Sequence, residues 1–131
     1  MKVSVDTNVL ARAITEDEPR QSKVAQDLLR SAELVAIGTY ALCELVWVLT
    51  KVYRFRQSEI ANAIEKLTNG DNVAVDRRAV RLGLHALSNG GDFADGAIAL
   101  EGRTLGGETF VSFDKRAVAM LKAAGEDAEL L

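Results

Sequence analysis

The chain has 131 residues, 48% hydrophobic and 27% charged with a single proline, which is material for one compact domain with its own core and excludes a disordered or low-complexity protein. A net charge of −3 excludes any overall electrostatic attraction for nucleic acid, so a polyanionic substrate would have to be held by local cations or by metal. Cys43 is the only cysteine, which excludes an internal disulfide and a CxxC zinc site and points to a reducing cytoplasm.

Residues 2–5 read as a short strand, and residues 8–15 carry apolar side chains at helical spacing before the acidic loop 16–19. Residues 20–32 read as an amphipathic helix with Val24, Ala25, Leu28 and Leu29 on one face, followed by the apolar run 34–37 as a second strand. Gly38-Thr39 punctuates the chain and Thr39 is the expected cap of the next helix. Residues 40–53 are apolar nearly all round, which predicts the most buried helix, with the Cys43 thiol packed inside it.

Residues 58–67 form another amphipathic pattern ended by Asn69-Gly70, residues 72–75 a third strand, and residues 77–87 its following helix. After the break at Asn89-Gly90-Gly91, a helix is expected over 92–103, a strand over 109–112 and a last helix over 115–123. Residues 127–130 offer a short fifth strand at the edge. Strands alternating with helices, with no tight hairpin signal, predict a single α/β domain over residues 1–131. The expected architecture is a three-layer α/β/α sandwich around a mainly parallel sheet of four to five strands. No apolar stretch reaches about 18 residues and no signal-peptide pattern is present, so a membrane protein or a secreted one is not expected.

In a parallel sheet, the residues that follow the strands collect along the carboxyl edge, where active sites form. Asp6 directly follows the first strand and Asp114 follows the fourth by one residue, which places both there. Each is also a good helix N-cap, and Asp92 with Asp95 resembles a capping box, so capping alone would account for these four acids. Glu44 is different, because it lies in the interior of the apolar helix 40–53, where a carboxylate is costly to desolvate without a cation, a metal or hydrogen-bond donors.

If these acids converge, their repulsion raises their pKa values or demands a cation. Oxygen-only ligands favour a hard ion, magnesium or manganese, and the implied reaction is metal-assisted phosphodiester hydrolysis. Asp76 follows the strand 72–75 in the same manner as Asp6, and spacing alone does not separate the two.

Four segments carry a family resemblance: Val5-Asp6-Thr7-Asn8-Val9-Leu10, the helix bearing Glu44, Asp92-Phe93-Ala94-Asp95-Gly96-Ala97-Ile98-Ala99, and Phe110-Val111-Ser112-Phe113-Asp114-Lys115. In that order they resemble the PIN-domain ribonucleases, and within them the VapC-like toxins of toxin-antitoxin pairs. The resemblance implies a magnesium-dependent endoribonuclease whose acidic quartet is Asp6, Glu44, Asp95 and Asp114. Asp6 and Asp95 are then the foremost magnesium ligands, with Asp92 an auxiliary acid acting through water. It also implies that Asn8 and the hydroxyl of Ser112 support the site, Ser112 standing where relatives more often carry threonine. Asp76 has no catalytic counterpart and returns to capping. The implied partners are RNA, a VapB-like antitoxin and a second copy of the chain, in a homodimer or a larger toxin-antitoxin assembly.

Lys115 and Arg116, next to Asp114, are candidates for touching substrate, whereas Lys51, Arg54 and Arg56 fit a helix C-terminus as well as a phosphate backbone. His85 is remote from every matching segment, and Trp47 and Phe93 are expected to pack rather than stack on bases. Two competing functions are a PIN-like nuclease acting on DNA and a noncatalytic module whose acidic groove binds a basic partner.

Overall fold

A computed structural model describes all 131 residues, and every expected element is present with its ends shifted by no more than two residues. The chain divides into two compact units, Met1–Asp76 and Arg77–Leu131.

The first unit is built on β1 (Lys2–Ser4), β2 (Leu34–Ala36) and β3 (Val73–Ala74), a parallel ladder in which Val3 lies opposite Val35 and Val35 opposite Val73. Two helices fill each crossover: α1 (Thr7–Thr15) and α2 (Pro19–Ser31), then α3 (Thr39–Lys51) and α4 (Gln57–Thr68). Pro19 suits the first turn of α2, where its missing N–H leaves no bond unmade, and the Glu18 carboxylate accepts the Gln21 amide. At the other end of α2, Asn72 Nδ2 donates to the carbonyls of Leu29 and Ala32, which satisfies open acceptors of the helix and fixes the entry to β3.

α3 departs from expectation. Leu42, Leu45 and Leu49, at helical spacing, are almost wholly buried, but Tyr40 and Trp47 are 78% and 59% exposed and Glu44 is exposed with them. Only one face of this helix meets α1 and α4, so apolar composition overstated its burial. Trp47 therefore does not pack into the core, and Cys43 is half-buried rather than enclosed. Thr39 is the first helical residue and not the cap, which is Gly38 with no side-chain bond. Val24 of α2 is likewise exposed, against its expected place on the packing face.

The second unit comprises α5 (Arg77–Ser88), α6 (Phe93–Thr104), β4 (Phe110–Ser112), α7 (Lys115–Ala123) and β5 (Ala128–Leu130). β4 and β5 pair in parallel, Phe110 opposite Ala128. All strand pairings are thus parallel, but they form ladders of three and two rather than one continuous sheet. Strand count and parallel direction are visible in a sequence; which edges pair is not.

α5 and α6 approach closely through two glycines. A Cβ on Gly83 would stand 2.5 Å from the ring of Phe93, and one on Gly96 would stand 2.7 Å from the Leu82 carbonyl oxygen. Phe93 is completely buried as expected, a contribution of about 1.5–3 kcal/mol. Ala86, Ala99, Val118 and Leu121 pack together beneath β4 and β5 with Ala128.

Candidate active site

The second unit brings three of the expected acids together. β4 ends at Ser112, whose Oγ accepts the Asp114 amide at 2.9 Å, and the turn so fixed places Asp114 as the cap of α7. Asp114 Oδ1 accepts the amides of Arg116 and Ala117, at 2.9 and 3.2 Å. Ser112 thus supports an acid through its hydroxyl. Asp92 caps α6 by accepting the Ala94 amide at 3.2 Å, and Asp95 follows in the first turn of that helix, donating its own amide to the Asp92 carbonyl.

Asp95 is held above the ordinary aspartate range. Partial burial penalises its charged form most, the charges of Asp92 and Asp114 add to the penalty, and the Asp92 backbone amide offsets part of it. No side chain donates a hydrogen bond to Asp95. Asp92 and Asp114 each spend Oδ1 on a backbone cap, so capping leaves Oδ2 of both open. Cap and ligand are compatible roles for one carboxylate.

The first unit carries the remaining two. Asp6 follows β1 and caps α1, Oδ1 accepting the Val9 amide at 3.0 Å. Next to it, Thr7 Oγ1 donates to the Ala41 carbonyl at 3.5 Å, which joins the start of α1 to α3 about one turn before Glu44. Glu44 is exposed, so the expected desolvation cost is absent and burial gives no reason to assign it a metal. Asn8 lines an open groove of about 530 Å³ between α1 and α2, with Arg12, Val24 and Leu28, and makes no hydrogen bond to Asp6.

In neither unit do three acidic side chains stand close enough to enclose a metal ion. The donor chemistry of the second unit nevertheless fits one. The donors it offers are all carboxylate oxygens, which suit a hard divalent cation, and a cation would offset the penalty that burial, and after it the charges of Asp92 and Asp114, place on ionised Asp95.

Lys115 is exposed at the start of α7. Arg116, a candidate for touching substrate, donates from Nη1 to the Gly90 carbonyl at 2.9 Å. Arg56 and Glu59 are paired at the start of α4, the Arg56 amide and Nε both donating to Glu59 Oε1. Nothing in the spacing of residues marks the Arg116 contact. Gly96 did leave a signal, because a glycine inside a helix weakens it and needs a packing reason.

A model of the PIN domain family matches residues 3–124. The chain belongs to the PIN domain family. The match covers both units and includes Asp6, Glu44, Asp92, Asp95, Ser112 and Asp114. A comparison with curated proteins gives no match. PIN domains are usually metal-dependent nucleases and generally use divalent ions such as magnesium. The seven helices and parallel strands agree with the α/β/α fold of a PIN domain. No helix is long and apolar enough to cross a membrane.

Proposed function

We propose that this PIN domain is a magnesium-dependent endoribonuclease, the cytoplasmic toxin of a VapBC-like toxin-antitoxin pair, with residues 1–131 acting as one catalytic domain. The observation that carries the nuclease chemistry is the grouping of Asp92, Asp95 and Asp114 at the starts of α6 and α7, with Asp95 pushed up first by burial and further by the charges of Asp92 and Asp114. By correspondence of motifs, the catalytic acids are Asp6, Glu44, Asp95 and Asp114. By the same correspondence Asp6 and Asp95 would hold the ion directly, Glu44 and Asp114 would complete the acidic set, and Asp92 would contribute through water.

Magnesium, or manganese in its place, supplies Lewis acidity that makes water nucleophilic near neutral pH and offsets charge on the phosphodiester. The carboxylate oxygens left open by capping would orient the attacking water by accepting hydrogen bonds from it. Ser112 keeps the Asp114 turn rigid through its hydroxyl, and Lys115 is suited to a nonbridging phosphate oxygen. Asn8, two residues after Asp6, supports the site by hydrogen bonding. Assembly with a VapB-like antitoxin, as a homodimer or larger complex, is supported by the exposed aromatic side chains Tyr40 and Trp47 on α3.

Cleavage of total RNA by the purified protein with magnesium, abolished by chelator, tests the activity. Glu44→Gln and Asp6→Asn are expected to lower it at least about 100-fold with unchanged thermal melting. Equal cleavage by these variants would remove both acids from the mechanism. Cleavage of single-stranded DNA in place of RNA would change the substrate, and metal binding without cleavage of either would leave a noncatalytic acidic groove. Copurification with a co-expressed neighbouring protein tests the antitoxin.

A further inference from the structure

The loop that delivers Asp92 begins where α5 ends. Gly90 has a left-handed backbone, φ +76°, its amide donates to Leu87, and the Gly91 amide donates back to Ala86. This is a Schellman closure, and Gly91 could not carry a side chain freely because a Cβ there would stand 3.1 Å from the Ala86 carbonyl oxygen. The closure satisfies the helix but leaves the Gly90 carbonyl, two residues before Asp92, without a helical donor.

Arg116 fills that position from 26 residues away, Nη1 donating at 2.9 Å. Its backbone amide is at the same time bound to Asp114 Oδ1. A single residue therefore grips both turns that carry the acids: by its main chain the turn of Asp114, and by its side chain the loop into Asp92. None of the molecule's ion pairs includes Arg116, although Asp114 lies only two residues before it. An arginine serving to neutralise the cluster would pair with a carboxylate; this one binds a neutral carbonyl.

We propose that Arg116 is a positioning residue, a tether between the start of α7 and the Gly90 carbonyl that sets the loop presenting Asp92 and Asp95 to Asp114. Its effect on cleavage rests on the nuclease function proposed above, but the tether itself does not.

The test compares Arg116→Gln and Arg116→Lys with the unaltered protein in three measurements. Amide hydrogen exchange at Ala94, whose N–H is capped by Asp92, is expected to quicken about tenfold in R116Q while α5 stays unchanged, the scale of one charge-assisted hydrogen bond. Manganese binding to the RNA-free protein is expected to weaken about tenfold, and kcat to fall similarly with KM for RNA within about twofold. R116K, which retains one donor, is expected to recover part of each.

Unchanged Ala94 exchange in R116Q would overturn the tether. A raised KM with unchanged manganese affinity would make Arg116 a substrate contact instead. Tighter manganese binding in R116Q, with R116K like the unaltered protein, would reduce its role to charge. If the unaltered protein neither binds manganese nor cuts RNA, the nuclease function falls, and the Ala94 exchange still decides the tether.

Discussion

Asp17 of the first unit and Asp95 of the second show two opposite settings for the same side chain. Asp17 lies in the loop between α1 and α2 and accepts three bonds, from Tyr53 at 2.8 Å and from Thr15 and Arg12 at 2.9 Å. Those donors, Tyr53 foremost, hold its carboxyl below the ordinary range. Asp95 has no side-chain donor, and burial together with Asp92 and Asp114 holds it above. The first acid is a clasp that ties the end of α3 to a loop, complete within the chain. The second has its charge penalised by burial and by two acidic neighbours, with no side-chain donor to offset it.

The largest effect expected from this contrast is on cleavage. Asp95→Asn should lower single-turnover RNA cleavage at least about 100-fold, whereas Asp17→Asn should leave it within about twofold. Comparable losses from both would erase the distinction.

Next come the packing contacts that hold α6 in place. Phe93→Ala should cost about 3–5 kcal/mol in urea denaturation, as an emptied core site. Gly96→Ala should cost about 1–3 kcal/mol, because its Cβ meets backbone that cannot rotate away. A neutral Gly96→Ala would mean the two helices separate readily.

Smaller effects depend on pH. Because Asp17 is depressed in the folded chain, its clasp contributes stability above the ordinary aspartate value of 3.8, lost as pH falls through the depressed pKa. Tyr53→Phe should therefore lower the melting temperature at neutral pH and matter less at strongly acid pH.

Asp95 has the reverse sign. Its ionised form is penalised by folding, so the metal-free protein gains stability as pH falls through the raised pKa toward 3.8. Asp95→Asn should stabilise the chelator-treated protein at pH 7, and the gain should vanish below that range. A destabilised Asp95→Asn variant under chelator would contradict the crowding.

Much of the site was legible because capping and strand-end aspartates are local features. Asp6, Asp92 and Asp114 each bond an amide within three residues, and Asp95 sits one turn from Asp92, so short spacings suffice to place them. Glu44 was harder. Its neighbours in sequence are apolar, but the side of α3 that it occupies with Tyr40 and Trp47 faces outward, and hydropathy cannot tell an exposed aromatic from a buried one. The partition of the strands into ladders of three and two was equally hidden, since backbone hydrogen bonds carry no residue-type signature.

The sequence by itself determined the order and type of every element, the parallel direction of the strands and the identity of the candidate acids. These depend on periodicity, on caps and on motifs read within a few residues. Only the tertiary structure decided which face of α3 is covered, that Asp95 is the acid raised by burial and by its acidic neighbours, and that Arg116 spends its guanidinium on Gly90. Each of those depends on residues far apart in the chain meeting within a few ångströms. Burial and Coulomb interaction are set by those distances.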